Sequence, residues 1–259
     1  MIKNIHAEWI KLRRQTAPWV VLLFAVALPL ATLLNASNPA SSVFDPLLGA
    51  EGRSVSYALI NSTMLSRIMP LVIGCWVGGV DWGFQTAGMA AHWAGRGRMA
   101  LAKAALVALF SIGCTLVVLL GSWLIGCWRG RGIGHSLPPL LPAQLAICLA
   151  TAIWVGWATM ALAYCLRSRL VACLIGVVWL MVLPVMLSDL LAPIIKWIEP
   201  MNWLGGFVNP AFANLNDLTF VAVRGRALAP DAPSVAVLLA TAAFFCFLPW
   251  LMDRRRELR

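Results

Sequence analysis

The chain has 259 residues, 61% of them hydrophobic and only 12% charged, with a mean hydropathy of +0.84. A soluble domain covers its surface with about 25% charged residues, so this composition excludes an ordinary soluble protein and points to an integral membrane protein. The formal net charge of +10 does not mark a nucleic-acid binder, because Lys and Arg stand in short groups at the ends of apolar runs, where membrane anchors belong.

In residues 2–14, Ile2, Ile5, Trp9 and Leu12 recur at helical spacing, while Lys3, Glu8, Lys11, Arg13 and Arg14 fall on the other faces. That pattern predicts a helix lying in the membrane interface with Trp9 at headgroup level. The simpler alternative is a basic leader that only fixes orientation. The apolar run behind it is of spanning length and no small-x-small cleavage site follows, so a retained first span is expected rather than a removed signal. This span covers about 17–34, with a kink at Pro29, and residues 35–62 read as an outer loop.

The second span covers about 65–82 and contains Gly74-x-x-x-Gly78 followed by Gly79, small residues that let a neighbouring helix approach closely. Asp81 to Lys103 is then a polar, basic stretch between two apolar runs, able to form a short helix at the membrane surface. The third span covers about 104–128 and the fourth about 143–166, joined by a Gly- and Pro-rich turn. The link Arg167-Ser168-Arg169 is so short that the fourth span and the fifth, about 170–187, must be antiparallel neighbours. Residues 188–231 mix charges and aromatics with Pro193, Pro200 and Pro210, which predicts re-entrant or surface-lying helices. A sixth span, about 234–252, precedes a basic tail.

The expected fold is therefore an all-α integral membrane protein in a single domain with six transmembrane helices. The amino-terminal segment, the 81–103 stretch, the Arg167 link and the tail together hold 13 of the 20 Lys and Arg residues, which predicts that both termini are cytoplasmic.

The chain carries no Gly-x-x-x-x-Gly-Lys-[Ser/Thr], no Gly-x-Ser-x-Gly and no His-Glu-x-x-His. Its seven cysteines lie in or beside apolar runs without metal-ligand spacing, and His6, His92 and His135 are dispersed. Small hydrophobes in helix packing are the expected role of the thiols, and no metal or cofactor is expected in this chain. Ion-coupled carriers keep an ionisable group deep in the bilayer, whereas Asp81, Lys103, Arg67 and Asp189 all fall near span ends. An apolar bundle without an energy source, but with a shaped polar loop, points to a motor supplied by another protein. The rival readings are an intramembrane enzyme, an ion-coupled secondary transporter and a non-transporting scaffold.

At this point the residues resemble a known family. Glu8-Trp9-Ile10-Lys11-Leu12-Arg13-Arg14 resembles the opening of type-2 ABC transporter permeases, Asp81-x-x-x-Gln85-Thr86 resembles their acidic-x-x-x-Gly-Thr pattern after the second span, and Arg98-x-x-x-x-Lys103 resembles the basic pair leading into the third. Size and opening are most similar to the small permeases of lantibiotic and bacteriocin immunity or multidrug exporters. Gln85 stands where that family has Gly, and the run Met89 to Gly95 replaces its Leu-Leu-x-x-Pro. The resemblance implies an exporter subunit in a bacterial cytoplasmic membrane, with an amphipathic substrate and a second permease chain, identical or sister. It also implies that residues 83–97 form a coupling helix seated on a separate ATP-binding subunit, which would hold the ATP and Mg²⁺. The implied contacts are Phe84, Gln85, Thr86, Met89, His92, Trp93, Arg96 and Arg98, the two arginines facing acidic groups or lipid phosphates. The amino-terminal helix, with Glu8, Trp9, Lys11 and Arg13, would brace the same subunit.

Overall fold

The computed structural model describes residues 2–16, 18–20, 23, 26–27, 68–83, 96–129, 141–179 and 232–256, and these form helices with no strand among them. In chain order the helices are α1 (Ile2–Arg13), α2 (Ile68–Gly83), α3 (Arg96–Arg129), α4 (Leu141–Leu166), α5 (Arg169–Val177) and α6 (Ala232–Arg256). The windows Gly97–Val118 in α3 and Leu149–Leu166 in α4 are long and apolar enough to cross a membrane, and Ile68–Asp81 and Leu239–Met252 are shorter apolar helices. The expected outer loop 35–62, the 84–95 segment and the interrupted region 188–231 lie outside the described residues.

Helix α4 is the centre of the bundle and packs against α2, α3, α5 and α6. Its closest partner is α2, and the reason is the absence of side chains. A methyl group added at Gly74 would come within 2.3 Å of the Gly156 carbonyl oxygen, and one at Gly78 within 2.4 Å of the Met160 carbonyl. The Gly74-x-x-x-Gly78 ridge is thus pressed directly on the α4 backbone, the close approach that small residues allow in membrane bundles. Gly156 opens a second seam on its other side, where an added methyl would meet Val107 and Ser111 of α3 at 2.7 and 2.8 Å. Two apolar clusters fill the remaining space. One joins Leu12 of α1 to Met69, Ile73 and Val77 of α2, Val107 of α3 and Met160 of α4. The other surrounds Trp154, whose indole N–H donates to Thr241 Oγ1 at 2.9 Å and whose ring meets Trp179 and Phe245.

Large apolar side chains also lie on the exterior among the described residues. Leu109 on α3, Leu170 and Leu174 on α5, and Leu239 and Phe244 on α6 all face outward. Apolar side chains exposed on this scale belong in lipid or against another apolar chain, and with two helices long and apolar enough to cross a bilayer the protein is membrane-associated.

One boundary differs from the sequence reading. Helix α3 begins at Arg96, so the stretch Arg96–Lys103 is continuous with the third span instead of belonging to the loop. Met99, Ala100, Ala102 and Lys103 are all buried, and that inward face, rich in helix-favouring Ala, draws the helix back by two turns. The link between α4 and α5 is as short as expected. Arg167 takes a left-handed conformation (φ 54°), and Ser168 caps α5 by accepting the Val171 N–H at 3.4 Å.

Candidate functional site

Four chain segments meet at one end of the bundle: α1, the end of α2, the start of α3, and the α4–α5 link. Apolar helix ends do not by themselves choose such a meeting point; charges do. Asp81 lies in the last turn of α2 and Lys103 in the first third of α3, both only 2% exposed, on either side of the 84–95 segment. Asp81 Oδ2 accepts from Lys103 Nζ at 2.5 Å, and the same ammonium donates to the Val77 carbonyl at 3.1 Å.

Helix α1 completes this network. Leu12 buries into the core with Ile5 and Trp9 packed beside it, which rolls Glu8 inward to 6% exposure. Lys11 then donates to Glu8 Oε1 at 2.6 Å and to Asp81 Oδ1 at 2.8 Å, and Lys103 Nζ stands 4.0 Å from Glu8 Oε2. Among the described residues, two carboxylates and two ammoniums therefore form a compact group spanning three helices. Burial works against the Lys11 ammonium, but the hydrogen bonds to Asp81 and Glu8, with their charges, outweigh it and hold its pKa above the usual lysine value. Removing one partner of such a group leaves an uncompensated buried charge, which destabilises by about 3–5 kcal/mol.

A second layer ties in the remaining segment. The Trp76 indole N–H donates to Gln15 Oε1, Arg169 Nη1 donates to the same oxygen at 3.5 Å, and the Arg169 guanidinium lies 4.9 Å from the Trp76 ring centre. Gly79 makes room for this contact, since a methyl there would come within 2.9 Å of Arg169 Cβ. The end of α6 also reaches this end of the bundle, with Trp250 against Gly97.

Of the residues singled out from sequence, Glu8, Lys11 and Trp9 are brought to this site, with Trp9 stacked 5.3 Å from Phe110. Glu8, which periodicity places on a face away from Ile5, Trp9 and Leu12, is nevertheless buried, because its ion partners are Lys11 on the same helix and Lys103 on α3, which α1 covers. Arg13 and Arg98 are exposed, and Arg96 is the first residue of α3. Phe84, Gln85, Thr86, Met89, His92 and Trp93 lie outside the described residues. Sequence reasoning named Asp81 and Lys103 as span-end charges but not as a pair. Their opposite signs at the facing ends of consecutive spans were the available signal.

No metal-binding group of three or more His, Cys, Asp or Glu occurs among the described residues, and Cys75, Cys114, Cys165, Cys173 and Cys246 are free thiols. Comparison with family models, with curated proteins and with solved structures finds no match to this chain.

Proposed function

We propose that this chain is the permease subunit of a type-2 ATP-binding-cassette exporter, moving an amphipathic molecule such as an antimicrobial peptide, a drug or a lipid-linked compound. In this reading it has six spans, both termini are cytoplasmic, and residues 83–97 are the surface that a separate ATPase subunit pushes. The observation that carries the reading is the charge network Glu8–Lys11–Asp81–Lys103. It clamps both helices that flank the 84–95 segment to α1, so a push on that segment moves α1, α2 and α3 together. From there the tight glycine seam of α2 on α4 passes the displacement into the centre of the bundle. The nucleotide and Mg²⁺ bind to the partner, and a second permease chain covers part of the apolar exterior.

The buried carboxylates Asp81 and Glu8 also favour a second reading, an ion-coupled carrier, since such groups bind coupling ions. Both are balanced by lysines at the end of the bundle, which suits a clamp better than an ion relay. The deciding experiment reconstitutes the chain alone and with the ATPase subunit that co-purifies with it. Vanadate-sensitive ATP hydrolysis and export only in the complex support the exporter; transport by the chain alone under an ion gradient supports the carrier. Replacing Phe84 and Trp93 together with Asp uncouples hydrolysis from export in the exporter reading, and unchanged export by that variant counts against the 83–97 contact.

A further inference from the structure

The two flanks of α1 differ. One carries Glu8 and Lys11 into the ion network. The other borders a groove of about 640 Å³ between α1 and α3, a size in the range of small-ligand sites. Its lining is almost wholly apolar: Ile5 and Trp9 of α1, Val26 of the segment that follows α1, and Leu106, Phe110 and Gly113 on successive turns of α3. Trp9, Trp19 and Phe110 form an aromatic cluster against it, with ring centres 5.3–6.1 Å apart. Gly113 leaves it open, since a methyl added there meets nothing within 4 Å. His6, exposed, also lines it.

The charges around this groove are one-sided. Glu8, the one carboxylate of α1, is turned away and neutralised. Lys3, Arg13 and Arg14 are exposed, and no carboxylate among the described residues pairs with them. Arg13 follows Trp9 by one turn and His6 by two, so it shares the groove flank. An apolar slot with a cationic rim on an interfacial helix matches a ligand with an acyl chain and an anionic head.

We infer that the α1–α3 groove binds an anionic phospholipid of the surrounding leaflet, its chain lying along Phe110 and Gly113 and its phosphate against Arg13, with Lys3 adding attraction at longer range. Such a lipid would pin α1 from the side opposite to the ion network, setting the helix that the network clamps. The inference rests only on α1 lying in the membrane interface, not on the exporter reading.

The test is native mass spectrometry of the detergent-purified full chain, titrated with phosphatidylglycerol and phosphatidylcholine of identical acyl chains. Wild type is expected to retain phosphatidylglycerol with a preference of about tenfold, the size that one or two nearby cations confer. Lys3→Gln with Arg13→Gln should bring the ratio close to one. Gly113→Phe, which fills the groove without touching the core, should lower retention of both lipids while leaving circular dichroism unchanged. Equal retention of the two lipids by wild type, or unaltered retention by Gly113→Phe, overturns the proposal. So does a Gly113→Phe chain that changes its oligomeric mass but not its lipid count, which would assign the groove to a second copy. Neither ATPase nor transport enters the measurement, so its failure and that of the exporter reading are separable.

Discussion

The glycine seam and the charge network hold the same helix, α2, by opposite physical means. In its middle, Gly74 and Gly78 bring α2 onto α4 because there is no side chain to keep them apart, and the attraction is short-range dispersion summed over many contacts. At its end, Asp81 is held by two ammoniums from different helices, and the attraction is electrostatic, strengthened by burial. The seam tolerates almost no change of shape. The network tolerates changes of shape but almost no change of charge. Packing fixes the centre, and a polar clamp sets where α1 and α3 sit upon it.

The comparison can be broken most severely at Lys103. Lys103→Met removes the buried ammonium that bonds Asp81 at 2.5 Å, and a loss of about 3–5 kcal/mol is expected in denaturant unfolding of the detergent-purified chain. The double variant Lys103→Met with Asp81→Asn should recover a substantial part, because the buried carboxylate that lost the Lys103 ammonium is then neutral. Failure of the second change to rescue would mean that the pair is not the source of the effect.

Next comes the seam. Gly78→Ala places a methyl 2.4 Å from the Met160 carbonyl oxygen, so backbone must shift, and a loss of about 1–3 kcal/mol is expected. Because Lys103 donates to the Val77 carbonyl beside Gly78, a double-mutant cycle with Lys103→Met should show coupling, the shifted backbone disturbing an acceptor that the network uses.

Lys11 should have a smaller effect, since its side chain is 33% exposed and solvent screens its pairs. Lys11→Met is expected to lower stability by about 1 kcal/mol. Its raised pKa sets the sign of the pH effect. The stabilisation is fully present below the ordinary lysine pKa of about 10.4 and is lost as pH rises through the higher folded value. Lys11→Arg should therefore keep α1 protease-resistant further into the alkaline range than wild type.

The smallest effect should have the opposite sign. Among the described residues, the hydroxyls of Ser111, Thr115 and Thr151 are buried without a hydrogen-bond partner. Thr115→Val, which keeps the shape and removes the unpaired group, should leave stability unchanged or raise it by about 1 kcal/mol. A clear loss would show that this hydroxyl has a partner in the assembled protein.

Much of this molecule is determined locally and so was legible in the sequence. Unbroken apolar runs must become helices, because a backbone without water has to satisfy its own hydrogen bonds. The helical periodicity of residues 2–14, the α2 and α4 segments and the two-residue link before Arg169 could all be read from the chain itself. Gly74 and Gly78 announced a close contact, but only the fold assigned it to Gly156 and Met160 on α4, because a small residue states how near a neighbour can come and not which neighbour it is. The charges were less legible still. Glu8 sits on the polar side of its own helix by any periodic reading, and Asp81 and Lys103 look like ordinary span ends. That they form one buried group is decided by three helices meeting. The sign of a charge is written in the chain, but its partner depends on distance, and distance is a property of the tertiary structure alone.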